Sequence, residues 1–301
     1  MIHLAIAFDN NYLVPFYALA SSIFFNNQEQ SFTFHCITRD IDLSEKKAIE
    51  EYMQAQNANI YFYEVDEVLL QQFAGTIHST WTLAVYYKIF FPLLVPEALE
   101  RLLYIDTDTL VINSLEELYT SDLGTYPLGA VYDCYVKTQE DLGIIEEGNY
   151  FNSGVLLFNL PLWRAQKISE KAIDFLQSHP EKIKFVDQCA LNAVLINNWK
   201  RLPEKYNLLY SYIPQEASRK ALSSFIKDKV ILHFTLQRPW KMLCKNRFRH
   251  FYKFYLKKSP KHKEKVIIDF SFAKTIPFLK LRLIEWYLDS PWIQKIWRKA
   301  R

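Results

Sequence analysis

The side chains best suited to chemistry in this 301-residue chain are two aspartates, Asp106 and Asp108, that lie one residue apart. They follow residues 102–105 (Leu-Leu-Tyr-Ile), an apolar run with the length of a buried strand. Ligands of parallel α/β sheets bind at the carboxyl ends of strands, and two carboxylates held close together there repel unless a cation lies between them. Mg²⁺ and Mn²⁺ take oxygen ligands, including phosphate oxygens. The spacing predicts a metal and diphosphate site, with a surface turn as the alternative.

Polar side chains also follow the first apolar run, at residues 4–8. Residues 9–12 are Asp-Asn-Asn-Tyr, which provide a carboxylate, two amides and an aromatic ring. These groups can hydrogen-bond to the edge of a nucleobase and stack on its face. The segment is a candidate nucleoside site, and a polar turn is the alternative.

Three more polar groups lie next to predicted elements in the second half of the chain. Asn152 precedes a buried strand predicted at residues 154–160, and Asp187 with Gln188 opens a helix predicted at residues 187–197. They are candidates for ligand contacts, although an aspartate at a helix start is also a natural N-cap.

A histidine and an arginine follow the apolar strand predicted at residues 230–234. A histidine in such a position is ordinarily a core residue. Because a cation is already predicted, the imidazole of His233 is a candidate metal ligand. The guanidinium of Arg238 can bind diphosphate oxygens in a bidentate manner.

The elements that must position these residues alternate between strand and helix up to residue 240. Apolar runs predict strands at residues 4–8, 32–37, 60–65, 102–105, 154–160 and 230–234. Helical patterns cover residues 15–25, 43–56, 82–91, 163–178 and 187–197. This alternation predicts an α/β domain with a mostly parallel central sheet and helices on both faces.

The composition is that of a globular protein in a reducing compartment. Half of the residues are hydrophobic, and the four cysteines form no Cys-x-x-Cys pair, which argues against zinc and against a disulfide framework. No apolar stretch reaches the roughly 20 residues of a spanning helix, and the first residues lack the basic region of a signal peptide. We therefore expect a cytoplasmic protein, soluble or peripheral on the membrane.

Charge divides the chain into two parts. Residues 241–301 hold 17 Lys and Arg against 4 Asp and Glu, whereas residues 1–240 hold 19 against 29. We predict a catalytic domain at residues 1–240 and a basic, aromatic, helical extension at residues 241–301. Such an extension favours an anionic partner, either a membrane or a nucleic acid.

The end of this extension has the pattern of an amphipathic helix. Four apolar side chains within residues 291–299 share one helical face: Trp292, Ile293, Ile296 and Trp297. Four aromatic residues interspersed with Lys and Arg extend the same chemistry: Phe248, Phe251, Tyr252 and Tyr255. We expect the extension to bind an anionic membrane surface, and folding back onto the catalytic domain is the alternative.

The motifs, taken in order, resemble the retaining glycosyltransferases of family 8, which include bacterial lipopolysaccharide galactosyl- and glucosyltransferases and the glycogenins. The resemblance covers roughly residues 1–241. It rests on Asp-Thr-Asp at 106–108, Phe-Asn-Ser-Gly-Val at 151–155, Asp-Gln at 187–188 with Leu-Asn at 191–192, and His233 ahead of Arg-Pro-Trp at 238–240. It implies a Rossmann-like nucleotide-sugar-binding domain of the GT-A type.

The resemblance also implies a role for each matched residue. Mn²⁺ or Mg²⁺ would be coordinated by Asp106, Asp108 and His233, and the metal would hold the diphosphate of a UDP-sugar. Uridine would contact Asp9, Asn11 and Tyr12. The rest of the donor would contact Lys88, Asp106, Asn152, Asp187 and Arg238. Gln188 would face the anomeric carbon, so Gln188 and Asp187 are the predicted catalytic residues.

Three positions depart from the family pattern. Cys189 replaces the acidic residue that often follows Asp-Gln, which weakens a double-displacement mechanism that would use that carboxylate. Leu236 stands where a glycine near the diphosphate is common. Lys88 stands where many members have an arginine that touches the donor sugar.

Together, the residues and the resemblance predict a metal-dependent retaining transferase that moves galactose or glucose from UDP to a hydroxyl of a cell-envelope glycan such as lipopolysaccharide. The predicted partners are a glycan or lipid-linked saccharide acceptor and the inner face of the cell membrane. A nucleotidyltransferase is one alternative, because it would also pair aspartates with Mg²⁺. A protein that binds nucleic acid through the basic extension is another, although the acidic charge of residues 1–240 argues against nucleic acid.

Overall fold

The structure is a computed structural model that describes residues 1–71, 83–290 and 292. Its described strands are β1 (Ile2–Asp9), β2 (Phe32–Arg39), β3 (Asn59–Tyr63), β4 (Arg101–Ile105), β5 (Thr109–Val111), β6 (Leu128–Tyr132), β7 (Phe151–Asn159), β8 (Lys200–Leu202) and β9 (Ile231–His233). Seven of them form a sheet in the order β3-β2-β1-β4-β7-β6-β8. The other two, β5 and β9, form a small antiparallel sheet in which Thr109 lies opposite His233.

One strand of the large sheet, β7, runs opposite to its neighbours β4 and β6, and the other neighbouring pairs are parallel. The prediction of a mostly parallel sheet in an α/β fold is therefore confirmed. Because β7 is reversed, its amino end lies at the same edge as the carboxyl ends of β1, β4 and β6. All of the polar segments that follow those strands meet at this edge.

The described helices are α1 (Leu13–Asn26), α2 (Leu43–Ala55), α3 (Glu67–Gln71), α4 (Phe91–Leu94), α5 (Glu116–Tyr119), α6 (Leu160–Ala165), α7 (Ile168–Ser178), α8 (Val186–Val194), α9 (Arg219–Phe225), α10 (His250–Lys257) and α11 (Thr275–Leu288). Two apolar cores cover the two faces of the sheet. Leu102 and Tyr104 of β4 pack in one core, and Leu103 and Ile105 pack in the other. A strand that is buried on both faces has a continuous apolar sequence, which is why β4 was recognisable.

Three predicted elements differ from the structure. The helix predicted at residues 82–91 is a 3₁₀ segment, Leu83–Ile89, followed by the short α4, since Pro92 has no N–H to donate to the carbonyl of Lys88. The helix predicted at residues 163–178 breaks between α6 and α7 at Lys167, whose φ is 52°. The strand predicted from Gly154 begins at Phe151 instead, so the polar segment that was placed before the strand is part of it.

The first part of the basic extension packs onto the α/β body. Phe248, Tyr252 and Tyr255 are buried in a third apolar cluster together with Ala18 of α1, and Asn26 donates a hydrogen bond of 2.8 Å to the Tyr255 hydroxyl. The prediction that this aromatic cluster faces a membrane is wrong for these three side chains. A helix as apolar all round as α1 has to be covered on its outer side, and α10 covers it.

The following helix, α11, is held to the preceding segment by ion pairs, and several of its apolar side chains are exposed to solvent. Arg249 donates hydrogen bonds of 2.8 and 2.6 Å to the Glu285 carboxylate. A stripe of apolar side chains is more than half exposed: Ile276, Leu279, Leu283 and Trp286. Among the helices of the described ranges, none is both long and apolar enough to span a bilayer. The amphipathic helix predicted at residues 291–299 lies outside the described residues, except for the exposed Trp292.

Candidate active site

A cleft of about 700 Å³ opens at the edge of the sheet where β1, β4 and β6 end and β7 begins. Ten of the residues predicted from the sequence line it: Asp9, Tyr12, Lys88, Asp106, Asp108, Asn152, Asp187, Gln188, His233 and Arg238. Asn11 is not among the lining residues. It sits exposed in the 3₁₀ turn after β1, where its backbone N–H donates to the Asp9 carboxylate at 2.9 Å.

Two carboxylates and an imidazole form a cluster in the cleft that can hold a metal ion, and we call it the metal cluster. One ligand atom each from Asp106, Asp108 and His233 lies within 4.8 Å of the others, and His233 Nε2 is 3.1 Å from Asp108 Oδ1. The pairing of β5 with β9 produces this approach, since Thr109 and His233 are opposite residues. Two oxygen donors and one borderline nitrogen donor fit a divalent cation such as Mn²⁺ or Mg²⁺.

The charges around Asp108 keep it ionised. Burial alone would raise the pKa of the Asp108 carboxyl, but the charges of His233 and Arg238 outweigh burial and hold this pKa below its usual value. Arg238 Nε lies 3.9 Å from Asp108 Oδ2. The carboxylate is therefore in the charged form that a metal ligand requires.

A glycine allows the metal-binding side chains to come together. A Cβ placed on Gly154 of β7 would lie 2.2 Å from His233 Cε1 and 2.7 Å from Asp106 Oδ2. Both contacts are far inside van der Waals distance, so no residue with a side chain fits here unless the cluster is displaced. This explains in physical terms why the segment at residues 151–154 ends in glycine.

Lys88 is enclosed by carboxylates and does not project freely into the cleft. Its Nζ lies 3.3 Å from Asp106 Oδ1, 3.0 Å from Asp187 Oδ2 and 3.2 Å from the Ser153 carbonyl oxygen. Burial would lower the pKa of Lys88, but the two carboxylates outweigh burial and raise that pKa above its ordinary value. A buried ammonium thus links a predicted metal ligand to a predicted catalytic residue.

A shelf of buried polar groups adjoins the metal cluster. Asp133 Oδ2 accepts hydrogen bonds from Asn152 Nδ2 at 3.1 Å and from Gln188 Nε2 at 3.2 Å, and Gln188 Oε1 accepts one from the Ser153 N–H at 3.0 Å. Asp187 takes a hydrogen bond of 2.6 Å from the Ser153 hydroxyl and does not act as the N-cap of α8. The sequence reasoning missed Asp133, although Asp133 follows the apolar β6 just as Asp106 follows β4.

The side chain of Cys189 points away from the cleft. It is wholly buried, and its Sγ accepts a hydrogen bond from the Phe185 N–H at 3.1 Å and one from Gln139 Nε2 at 3.4 Å. A group at this position of α8 faces the core, so Cys189 does not reach a sugar beside Gln188.

An aromatic ring and a cation, those of Tyr12 and Arg238, also line the cleft. The Arg238 guanidinium lies 5.5 Å from the centre of the Tyr12 ring, and Trp240 meets the same ring edge-on at 5.7 Å. Leu236, at the position where glycine is common, is 72% exposed at the rim. An exposed apolar side chain at a cleft rim is available to a bound ligand.

The fold is an α/β domain of the GT-A type that carries a candidate metal site at the edge of its sheet. The chain belongs to glycosyltransferase family 8: residues 3–244 match the family described as "Glycosyl transferase family 8". The family predicted from the sequence is confirmed, and the reaction is glycosyl transfer.

Several known proteins are similar to the chain. It is 30% identical over 269 residues to the general stress protein A of Bacillus subtilis, covering 85% of this chain and 93% of that protein. It is 31% identical over 242 residues to a lipopolysaccharide 1,2-glucosyltransferase of Escherichia coli, with coverages of 77% and 71%. The solved galactosyltransferase LgtC, in complex with donor and acceptor sugar analogues, has a TM-score of 0.73 at 23% identity over 86% of this chain and 96% of that one, which shows a shared fold.

Proposed function

We propose that this protein is a retaining hexosyltransferase that moves galactose or glucose from a UDP-sugar to a hydroxyl of a cell-envelope glycan such as lipopolysaccharide. One observation carries the proposal: the metal cluster and the polar shelf of Asp133, Asn152, Asp187 and Gln188 line the same cleft. A diphosphate and a sugar are adjacent in a UDP-sugar, so the two parts of the cleft suit the two parts of one donor. The lipopolysaccharide glucosyltransferase relative supports the acceptor class.

In this proposal, each part of the cleft has its own task. Asp106, Asp108 and His233 hold Mn²⁺ or Mg²⁺, which supplies Lewis-acid neutralisation of charge on the departing UDP. Asp9 and Tyr12 receive the uridine, and Arg238 binds the diphosphate. Asn11, which is exposed beside them, reaches uridine only if its side chain turns toward the cleft.

The sugar occupies the shelf in the same proposal. Asn152 and Asp187 bind its hydroxyls, and Gln188 lies at the anomeric carbon. Lys88 acts on the donor through Asp187, since its ammonium is already enclosed by two carboxylates. Because Cys189 faces the core, residue 189 offers no nucleophile, and the acceptor hydroxyl attacks from the side that the UDP leaves. The proton of that hydroxyl passes to the leaving diphosphate oxygen.

The stereochemistry of the product tests the proposal. An α-linked UDP-sugar should yield an α-linked product, which the anomeric proton coupling in an NMR spectrum identifies directly. Gln188→Ala should lose most turnover while UDP affinity stays near that of the wild type, because an amide at the anomeric carbon contributes little to holding the nucleotide. A β-linked product would overturn the retaining assignment. Release of pyrophosphate instead of UDP would favour nucleotidyl transfer.

We further propose that residues 1–240 carry catalysis and that residues 241–301 attach the protein to the inner face of the cell membrane. The exposed apolar stripe of α11 and the charge of the extension support this, because each basic residue near an anionic surface contributes about 1 kcal/mol. Leu283→Ser combined with Trp286→Ser should reduce flotation with anionic liposomes. Leu43→Ser, at a leucine of α2 that is even more exposed, is the control. Unchanged flotation of the double variant, or binding to oligonucleotides instead of liposomes, would contradict membrane attachment.

A further inference from the structure

A chain of hydrogen bonds connects His233 to Gln188 through Asn207, a buried residue to which no sequence motif pointed. His233 Nδ1 lies 2.8 Å from Asn207 Oδ1, and Asn207 Nδ2 lies 2.9 Å from Asn152 Oδ1. Asn152 Nδ2 lies 3.2 Å from Gln188 Oε1. All four side chains are buried, and that of Asn207 is wholly inaccessible. This series of hydrogen bonds therefore joins the metal cluster to the polar shelf through buried side chains.

Two backbone N–H groups of β7 determine which atom donates at each link. The Gly154 N–H donates to Asn152 Oδ1 at 3.0 Å, and the Ser153 N–H donates to Gln188 Oε1 at 3.0 Å. Since a backbone N–H can only donate, Asn152 Oδ1 must be the oxygen, and Asn207 must offer it an N–H. The oxygen of Asn207 then faces His233, which carries its proton on Nδ1.

This arrangement leaves the other imidazole nitrogen available. With Asn207 holding the proton on Nδ1, Nε2 is the ring nitrogen that faces Asp108 Oδ1, 3.1 Å away. Without a metal this is a hydrogen bond from Nε2–H to the carboxylate, and a bound cation would take the place of that proton. Asn207 thus selects the tautomer of His233 that can coordinate a metal, as partners of metal-binding histidines commonly do.

We propose that Asn207 is a positioning residue that couples metal binding by His233 to the placement of Gln188 beside the donor sugar. The part of the proposal that concerns Gln188 rests on the proposed function, whereas the part that concerns His233 does not. The physical basis is that a buried amide has no water to replace a lost partner, so loss of one link disturbs the next.

Two substitutions of Asn207 separate the two links. Asn207→Asp keeps an oxygen to accept the His233 Nδ1 proton but has no N–H for Asn152. Asn207→Ala removes both links, and Asn207→Ser serves if the alanine variant fails to fold. Asn113→Ala is the matched control, because Asn113 Nδ2 bonds to the carbonyls of Lys227 and Lys229 just before β9 and does not touch His233.

The first measurements use donor-free protein. By calorimetry, Asn207→Ala should weaken Mn²⁺ binding by about 10–100-fold, whereas Asn207→Asp and Asn113→Ala should stay within about threefold of the wild type. Nitrogen-15 NMR of the metal-free protein should show a proton on Nδ1 of His233, and Asn207→Ala should lose this preference. Wild-type Mn²⁺ affinity together with an unchanged proton on Nδ1 in Asn207→Ala would overturn the link to His233.

Turnover then tests the link to Gln188. Asn207→Asp should lower kcat for a UDP-sugar by about tenfold or more with little change in Mn²⁺ affinity, and this loss should largely disappear in a Gln188→Ala background. A wild-type kcat, or an equal loss in both backgrounds, would overturn this link. If the wild type turned over no UDP-sugar, the proposed function would fail, while the Mn²⁺ and NMR results would still decide the role of Asn207 toward His233.

Discussion

Replacing Gly154 by alanine should impair the metal cluster by steric displacement. The new Cβ would lie 2.2 Å from His233 Cε1, whereas ordinary contacts begin at about 3.4 Å, so the imidazole has to move by about 1 Å. His233 is buried and bonded at both ring nitrogens, so this movement breaks at least one of its contacts. A misplacement of about 1 Å typically costs about 10²-fold in rate, which corresponds to about 2.7 kcal/mol at the transition state.

The assay for Gly154→Ala combines Mn²⁺ calorimetry, turnover of a UDP-sugar and thermal unfolding. We expect Mn²⁺ affinity to fall by about 10–100-fold and kcat/KM by about 10²-fold. Gly129→Ala is the control, because a Cβ at this position of β6 would meet Leu123 Cδ2 at 2.6 Å, and its nearest neighbours include no atom of the cluster. That variant should lose about 1–3 kcal/mol of stability while keeping its Mn²⁺ affinity. If Gly154→Ala bound Mn²⁺ and turned over as the wild type does, the reasoning about this close approach would be refuted.

Three further predictions concern charge. Asp108→Asn should lower turnover by about 10² or more because it removes a charged metal ligand, and full activity of this variant in excess EDTA would contradict the metal site. Lys88→Met leaves two carboxylates facing each other without a cation, so the free energy of unfolding measured in urea should fall by about 3–5 kcal/mol. A fall smaller than that of a variant at an exposed lysine would contradict this account. Burial lowers the pKa of His35 in the folded protein to about 4. As pH falls below 6.5, the unfolded chain therefore takes up a proton at His35 before the folded chain does. The free energy of unfolding should drop by about 1–2 kcal/mol between pH 7 and pH 5. His35→Gln should remove that part of the pH dependence of stability. If variant and wild type instead showed the same dependence of stability on pH, this role of His35 would be excluded. His179→Gln, at a partly exposed site, is the control.

Much of the site was predictable because its residues follow strands whose sequences are recognisable. β4 is buried on both faces and reads as a continuous apolar run, so its end, with Asp106 and Asp108, could be located from the sequence. The same reasoning would have found Asp133 after β6, where the residues Leu-Gly-Ala-Val-Tyr are equally apolar. Asp133 is therefore predictable from the sequence in the same way as Asp106 and Asp108.

Other features depend on tertiary contacts that no local pattern encodes. Asn152 and Ser153 lie inside β7, and a polar pair inside a buried strand becomes favourable only through partners such as Asp133 and Gln188. Asn207 lies in a connecting segment and has no motif around it. The aromatic cluster near Tyr252 has a composition that suits a membrane or a core equally well, and its burial depends on the apolar outer side of α1, against which it packs.

The pairing of β5 with β9 determines when the metal cluster can be completed during synthesis of the protein. Asp108 and His233 are separated by 124 residues, and translation proceeds at about 5–20 residues per second, so the imidazole is added roughly 6–25 s after the carboxylates. During that interval the growing chain has the aspartate pair without its third ligand. The complete cluster can form only after β9, the last of the described strands, has left the ribosome and paired with β5.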